Sequence, residues 1–109
     1  YDLTYVRELS GDNTKFILNM INSFQNEMPE MIEEMVRQLE MDEANKIGQM
    51  AHKASSLAGY LGCTQLRNLL QHIEAMTEKE HKPDELEDFV LKASKLSKKI
   101  NEQLSEVEV

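Results

Sequence analysis

Apolar residues recur along this chain at intervals of three and four, the period of helix faces rather than of strands. Leu3, Val6 and Leu9 make a short opening stripe over residues 3–9, which stops at Ser10-Gly11. Phe16, Ile17, Met20, Ile21 and Phe24 begin a second stripe, and Ile32, Met35, Val36 and Leu39 continue it. Asp12 or Asn13 is placed to cap that helix. Pro29 lies between the two halves, where it fits the first turn of a new segment or a kink. A third helix is expected from a cap at Asp42 to about Leu61, ended by Gly62. Thr64 caps a fourth, with Leu66, Leu69, Leu70, Ile73 and Met76 inward. His81-Lys82-Pro83-Asp84 reads as a turn. The last helix carries Leu86, Phe89, Val90, Ala93, Leu96, Ile100 and Leu104, and residues 106–109 are expected to fray.

Four amphipathic helices joined by short turns cannot bury their stripes alone. The pattern therefore predicts an all-α fold: an antiparallel up-down-up-down four-helix bundle with a short extra N-terminal helix. The 109 residues suffice for one such domain, spanning 1–109, and are too few for two.

Composition agrees with helix over sheet, since only four Gly and two Pro occur and β-branched runs are absent. The net charge of -8 argues against nucleic acid as a partner, because phosphate backbones are held by clustered Lys and Arg. The basic residues are scattered, apart from Lys95, Lys98 and Lys99. One cysteine, Cys63, excludes an intrachain disulfide and a cysteine-rich zinc site. It reads as a small apolar residue after a glycine, and a reducing, cytoplasmic compartment fits it. No apolar run approaches the ~20 residues of a membrane span, and no signal peptide is visible. The chain opens on Tyr1, which suggests a piece of a longer protein, such as the cytoplasmic tail of a membrane-anchored one.

The third helix departs from the pattern. At roughly 100° per residue, Ile47, Met50, Ala51, Ala54, Leu57, Ala58 and Leu61 fall in one inward arc. His52 lies roughly 160° from the centre of that arc, facing solvent. Gly48, Ser55, Ser56 and Gly59 stand one or two turns from it on the same side. Exposed helix positions usually hold long charged residues, and each internal glycine costs about 1 kcal/mol relative to alanine. The strip reads either as a clearing that admits a large partner to the imidazole or as a contact with a neighbouring helix.

An imidazole is the side chain whose neutral, nucleophilic form is well populated near neutral pH. One ring nitrogen can attack a phosphoryl group while the other keeps the proton, if an acceptor holds that N–H. The fourth helix offers Gln71, Glu74 and Glu78 for that purpose, and Glu74 sits at the edge of the apolar stripe. His72 and His81 build no zinc signature, so no metal ligand set is expected. No glycine-rich phosphate loop is present, so autonomous kinase activity is not expected.

The run Ala51-His52-Lys53-Ala54-Ser55-Ser56-Leu57-Ala58-Gly59-Tyr60-Leu61-Gly62 resembles the signature of the histidine-phosphotransfer (HPt) family of two-component phosphorelays. That signature reads approximately Ala-His-x-Leu-Lys-Gly-x-Ser/Ala-x-x-Leu/Phe-Gly. Ala51, His52, Ala58, Leu61 and Gly62 match it. The opening Tyr1-Asp2-Leu3, Pro29 and the Ile73-Glu74 pair also resemble such domains.

The resemblance implies the bundle described above, phosphorylation of His52 at Nε2, and a polar residue on the next helix, here Glu74, bonded to Nδ1. It implies that Ser56, Gly59 and Gly62 leave room for a docking response-regulator receiver domain. It also implies no cofactor on this chain, since Mg²⁺ belongs to the receiver. Two departures stand out. Ser55 replaces the family's lysine and Ser56 the following glycine, so a hydroxyl takes the place of a positive charge. Lys53 points roughly 100° from His52 and is a poor substitute, and nothing in the sequence places Arg67 near the ring. Leu3, Val6 and Met20 are candidates for an apolar docking patch or for packing of the N-terminal helix.

The expected function is a phosphorelay intermediate, taking a phosphoryl group from one receiver and passing it to another, within a hybrid sensor histidine kinase. The alternatives are a module that binds a receiver without accepting phosphate, and a plain structural bundle. A monomer is expected, without nucleic acid or membrane insertion.

Overall fold

The fold is taken from a computed structural model, which describes residues 1–11, 13–41, 43–78 and 83–106. Five helices follow one another: α1 (Thr4–Ser10), α2 (Thr14–Glu40), α3 (Ala44–Tyr60), α4 (Thr64–Thr77) and α5 (Pro83–Leu104). The expected positions at Asp12, Asp42, His81, Lys82 and 107–109 lie outside the described residues.

Local chemistry sets most of the helix ends. Asn13 adopts an extended backbone and its Oδ1 accepts the Phe16 N–H at 3.2 Å, which starts α2. Gly11 and Gly62 close α1 and α3 in the left-handed region, at φ 63 and 65. Pro29 does not interrupt α2, which runs unbroken for 27 residues. Its missing N–H costs the helix one backbone bond, to the Gln25 carbonyl. Two expectations are corrected. Thr64 is the first helical residue of α4 rather than its cap, because the Cys63 carbonyl already accepts the Arg67 N–H at 2.8 Å. Pro83 and Asp84 open α5 instead of forming a turn. Proline suits a first helical position, where its absent donor is not needed.

α2 packs on α3 and α5, α3 on α4, and α4 on α5, so the four long helices form a closed ring. The links from α2 to α3 and from α3 to α4 are three residues long. So short a link cannot carry the chain back along a helix, so α2 and α3, and α3 and α4, are antiparallel. α1 lies against α2 at one end. The whole measures 43 × 21 × 17 Å, and α2 alone accounts for the long axis at about 40 Å by helical rise.

The core is one continuous cluster along the bundle axis. Phe24, Ile17, Met28 and Met35 of α2 meet Ile47, Leu66, Leu70 and Ile73, all fully buried. Each such side chain contributes about 1.5–3 kcal/mol by leaving water. Several of the apolar residues predicted inward are less enclosed than the stripe suggests: Met20, Val36, Leu39, Met50, Leu69, Phe89 and Leu96 are half-buried at the rim. Leu9 and Phe16 are exposed outright.

Candidate functional site

α3 carries the site because its inward face is made of small residues. Ala51, Ala54 and Ala58 are completely buried, which lets the neighbouring helices approach α3 closely. His52 stands on the opposite side, with 71% of its side chain open to solvent. Glu74 of α4 comes alongside, its carboxylate Oε2 2.7 Å from Nδ1 of His52. A carboxylate only accepts hydrogen bonds, so in the neutral ring the proton stands on Nδ1 and is donated to Glu74. The lone pair is then on Nε2, the ring atom farther from α4. The contact fixes which nitrogen is nucleophilic and holds the ring upright.

The flank of α3 on the α4 side is closed, and the expected clearing is correspondingly narrower. On the helical wheel Gly48 and Ser55 lie about 40° and 60° to one side of His52, and Ser56 about 40° to the other. Helix α4 occupies the first side. Gly48 is buried there, and a Cβ on it would collide with Thr77 Oγ1. Ser55 is only 5% exposed, and its hydroxyl donates to the His52 carbonyl at 2.8 Å. These two residues face the neighbouring helix, and Ser55 is turned away from any phosphate on Nε2. Ser56 remains exposed, with its hydroxyl bent toward the same carbonyl at 3.4 Å.

Gly62 also departs from expectation. The N-terminal segment crosses it: the Asp2 N–H donates to the Leu61 carbonyl at 2.8 Å, and the Asp2 backbone sits where a Cβ would go. Gly62 is thus required by its left-handed φ and by Asp2, not by a docking partner. The Asp2 carboxylate accepts from the Thr4 N–H and hydroxyl at 2.9 and 2.6 Å, which holds it below the usual carboxylate range. Gly59 is half-open, and a Cβ there would meet only the Arg67 stem, 3.5 Å away. Lys53 is exposed and has no ion pair among the described residues.

Of the two readings of Leu3, Val6 and Met20, packing is the one seen. Val6 is fully buried, and Leu3 and Met20 are packed against the core. The exposed aromatic surface near α3 is made by Tyr5 and Tyr60, 52% and 39% exposed, with ring centroids 6.1 Å apart. Tyr60 lies eight residues past His52, which brings it round to the same general side of the helix; that spacing was the available signal. Cys63 is buried, and burial pushes its thiol pKa up, which suits a structural residue. Among the described residues no group of three His, Cys, Asp or Glu is placed to hold a metal ion.

The site is thus a solvent-facing imidazole on α3, oriented through one nitrogen by a carboxylate on α4, in a bundle of five helices. The family model for the Hpt domain matches residues 19–108, most of the chain. The chain belongs to the Hpt domain family, whose role is histidine phosphotransfer in two-component phosphorelays and whose partners are receiver domains. No curated protein and no solved structure matches it. Among the described residues, no helix is long and apolar enough to cross a membrane.

Proposed function

We propose that His52 is the phosphoacceptor, taking a phosphoryl group from a receiver-domain aspartate and passing it to a second receiver. The observation that carries this reading is the 2.7 Å contact between Nδ1 and Glu74 on a ring otherwise open to solvent. The Nε2 lone pair attacks phosphorus, the bond from phosphorus to the aspartate oxygen breaks, and the aspartate leaves as a carboxylate. The ring gains positive charge as the new bond forms, and Glu74, already holding the Nδ1 proton, offsets it. The bundle's part is mainly positioning, since it supplies an oriented nucleophile on a rigid helix. Mg²⁺ belongs to the receiver in this scheme. Transfer in the reverse direction uses the same geometry. Acceptor-only chemistry suits a segment of a hybrid sensor kinase, and that placement is part of the same proposal.

A second reading, receiver binding without phosphate transfer, is motivated by Ser55, which brings no charge and is buried. One experiment separates the two. Radiolabelled receivers are incubated with the wild type and with His52→Gln. Label moving to the wild type and not to the variant supports the acceptor reading. Equal binding of a receiver by both proteins, with label on neither, supports the second.

A further inference from the structure

The face around His52 is divided by charge. Toward the N-terminal end of α3 the surface beside the ring is lined by Asn45, Gln49, Glu74 and Glu78. Toward the C-terminal end it is lined by Tyr5, Ser56, Gly59, Tyr60 and Arg67. Arg67 comes from α4, yet its stem lies across α3. Its Cδ is 3.5 Å and its Nε 3.8 Å from the position of a Cβ on Gly59. Small size at Gly59 leaves the stem room to lie there, and an added Cβ would only come into ordinary contact with it. Arg67 is exposed and has no ion pair among the described residues.

Position decides what this cation can do. Ser56 and Gly59 lie about 6 and 10.5 Å along the helix axis from His52, by the rise per residue. The Arg67 stem rests on Gly59, about two turns from His52, which places the cation beside the partner surface around the transferring group. The protein carries a net charge of -8, which repels an acidic partner. A local cation beside the nucleophile, flanked by two half-exposed aromatic rings, opposes that repulsion at one spot.

We propose that Arg67 is the docking cation of this face, binding an acidic rim of the receiver and fixing the receiver's orientation over His52. The proposal rests on the acceptor reading of His52. The carboxylates at the other end of the face disfavour the reversed orientation, so the charge division supplies both attraction and rejection. Arg67 is thus a specificity-determining residue and not a replacement for a phosphate-binding lysine.

The test uses the full chain and the receiver domain that it binds most tightly in a panel, phosphorylated with acetyl phosphate. Arg67→Gln is expected to raise the KM for the phospho-receiver about five- to tenfold, with kcat within about twofold of wild type. Arg67→Lys restores most of the loss, and the difference between Gln variant and wild type shrinks in about 0.5 M NaCl through screening. An unchanged KM in Arg67→Gln overturns the proposal, as does a fall in kcat alone. Equal losses in the Gln and Lys variants point to a structural role and also overturn it. Calorimetric binding of the unphosphorylated receiver keeps the two claims apart. Weaker binding by Arg67→Gln supports the docking role even if no label reaches His52, an outcome that ends the acceptor reading alone.

Discussion

At the scale of the residue, the contact between His52 and Glu74 does two things at once. It selects the tautomer that leaves Nε2 free, and it stops an exposed ring from sampling other rotamers. Removing the carboxylate releases both constraints without touching the core, since Glu74 stands at the bundle surface with its side chain 29% exposed. Glu74→Ala is therefore expected to slow phosphotransfer about tenfold, equivalent to ~1.4 kcal/mol of barrier. Receiver affinity, measured by titration, should stay within about twofold. Unchanged transfer kinetics would remove Glu74 from the mechanism. The pairing was expected through the family resemblance, which puts a polar residue of the next helix on Nδ1; the residues alone offered Gln71, Glu74 and Glu78, with Glu74 at the edge of its apolar stripe. The burial of Ser55 and Gly48 was not legible, because a wheel gives angles about one axis and does not say on which flank the next helix lies. The place of Arg67 was hidden for a related reason: its stem crosses to another helix over a glycine, and no spacing within α4 records that.

At the scale of the element, the two glycines inside α3 have opposite roles despite similar places on the wheel. Gly48 is where α3 and α4 touch. Thr77 Oγ1 is held by the Glu74 carbonyl at 2.7 Å, and Thr77 is β-branched, so it yields poorly to a new methyl group. Gly59 has ordinary van der Waals room, with the Arg67 stem 3.5 Å from an added Cβ. Gly59→Ala should thus gain about 0.5–1 kcal/mol from helix propensity. Gly48→Ala should lose a net ~1–2 kcal/mol, because overpacking outweighs the same gain. Thermal unfolding checks both, with a shift of about 4–8 °C per kcal/mol for a chain of this size. A Gly48→Ala variant as stable as wild type would mean that α3 and α4 are not in close contact at that point. Helix existence and order were legible throughout, because each stripe is long and its period is clear. Helix ends were legible where a side chain makes the cap, as at Asn13, or where left-handed backbone needs glycine, as at Gly62. They were not at Thr64, where Cys63 takes the cap position without a side-chain hydrogen bond and so leaves no mark in the sequence.

At the scale of the whole molecule, the bundle works as a rigid mount. Its core runs the length of the axis, and α3 is held by α2 on one side and α4 on the other, so the histidine is fixed relative to both. The face it presents is acidic at one end and cationic and aromatic at the other, on a protein of strongly negative overall charge. The architecture followed from periodicity alone. The division of charge across the face required coordinates, since its parts come from α1, α3 and α4.

The central claim is that Nε2 of His52 is the free nitrogen and the one that takes phosphorus. Nitrogen-15 and phosphorus-31 NMR on the intact chain tests it directly, before and after loading by a phosphorylated receiver. The account predicts a His52 ring that carries its proton on Nδ1, and after loading a single acid-labile phosphorus coupled to Nε2 of that residue. Phosphorus on Nδ1, or on a different histidine, contradicts it.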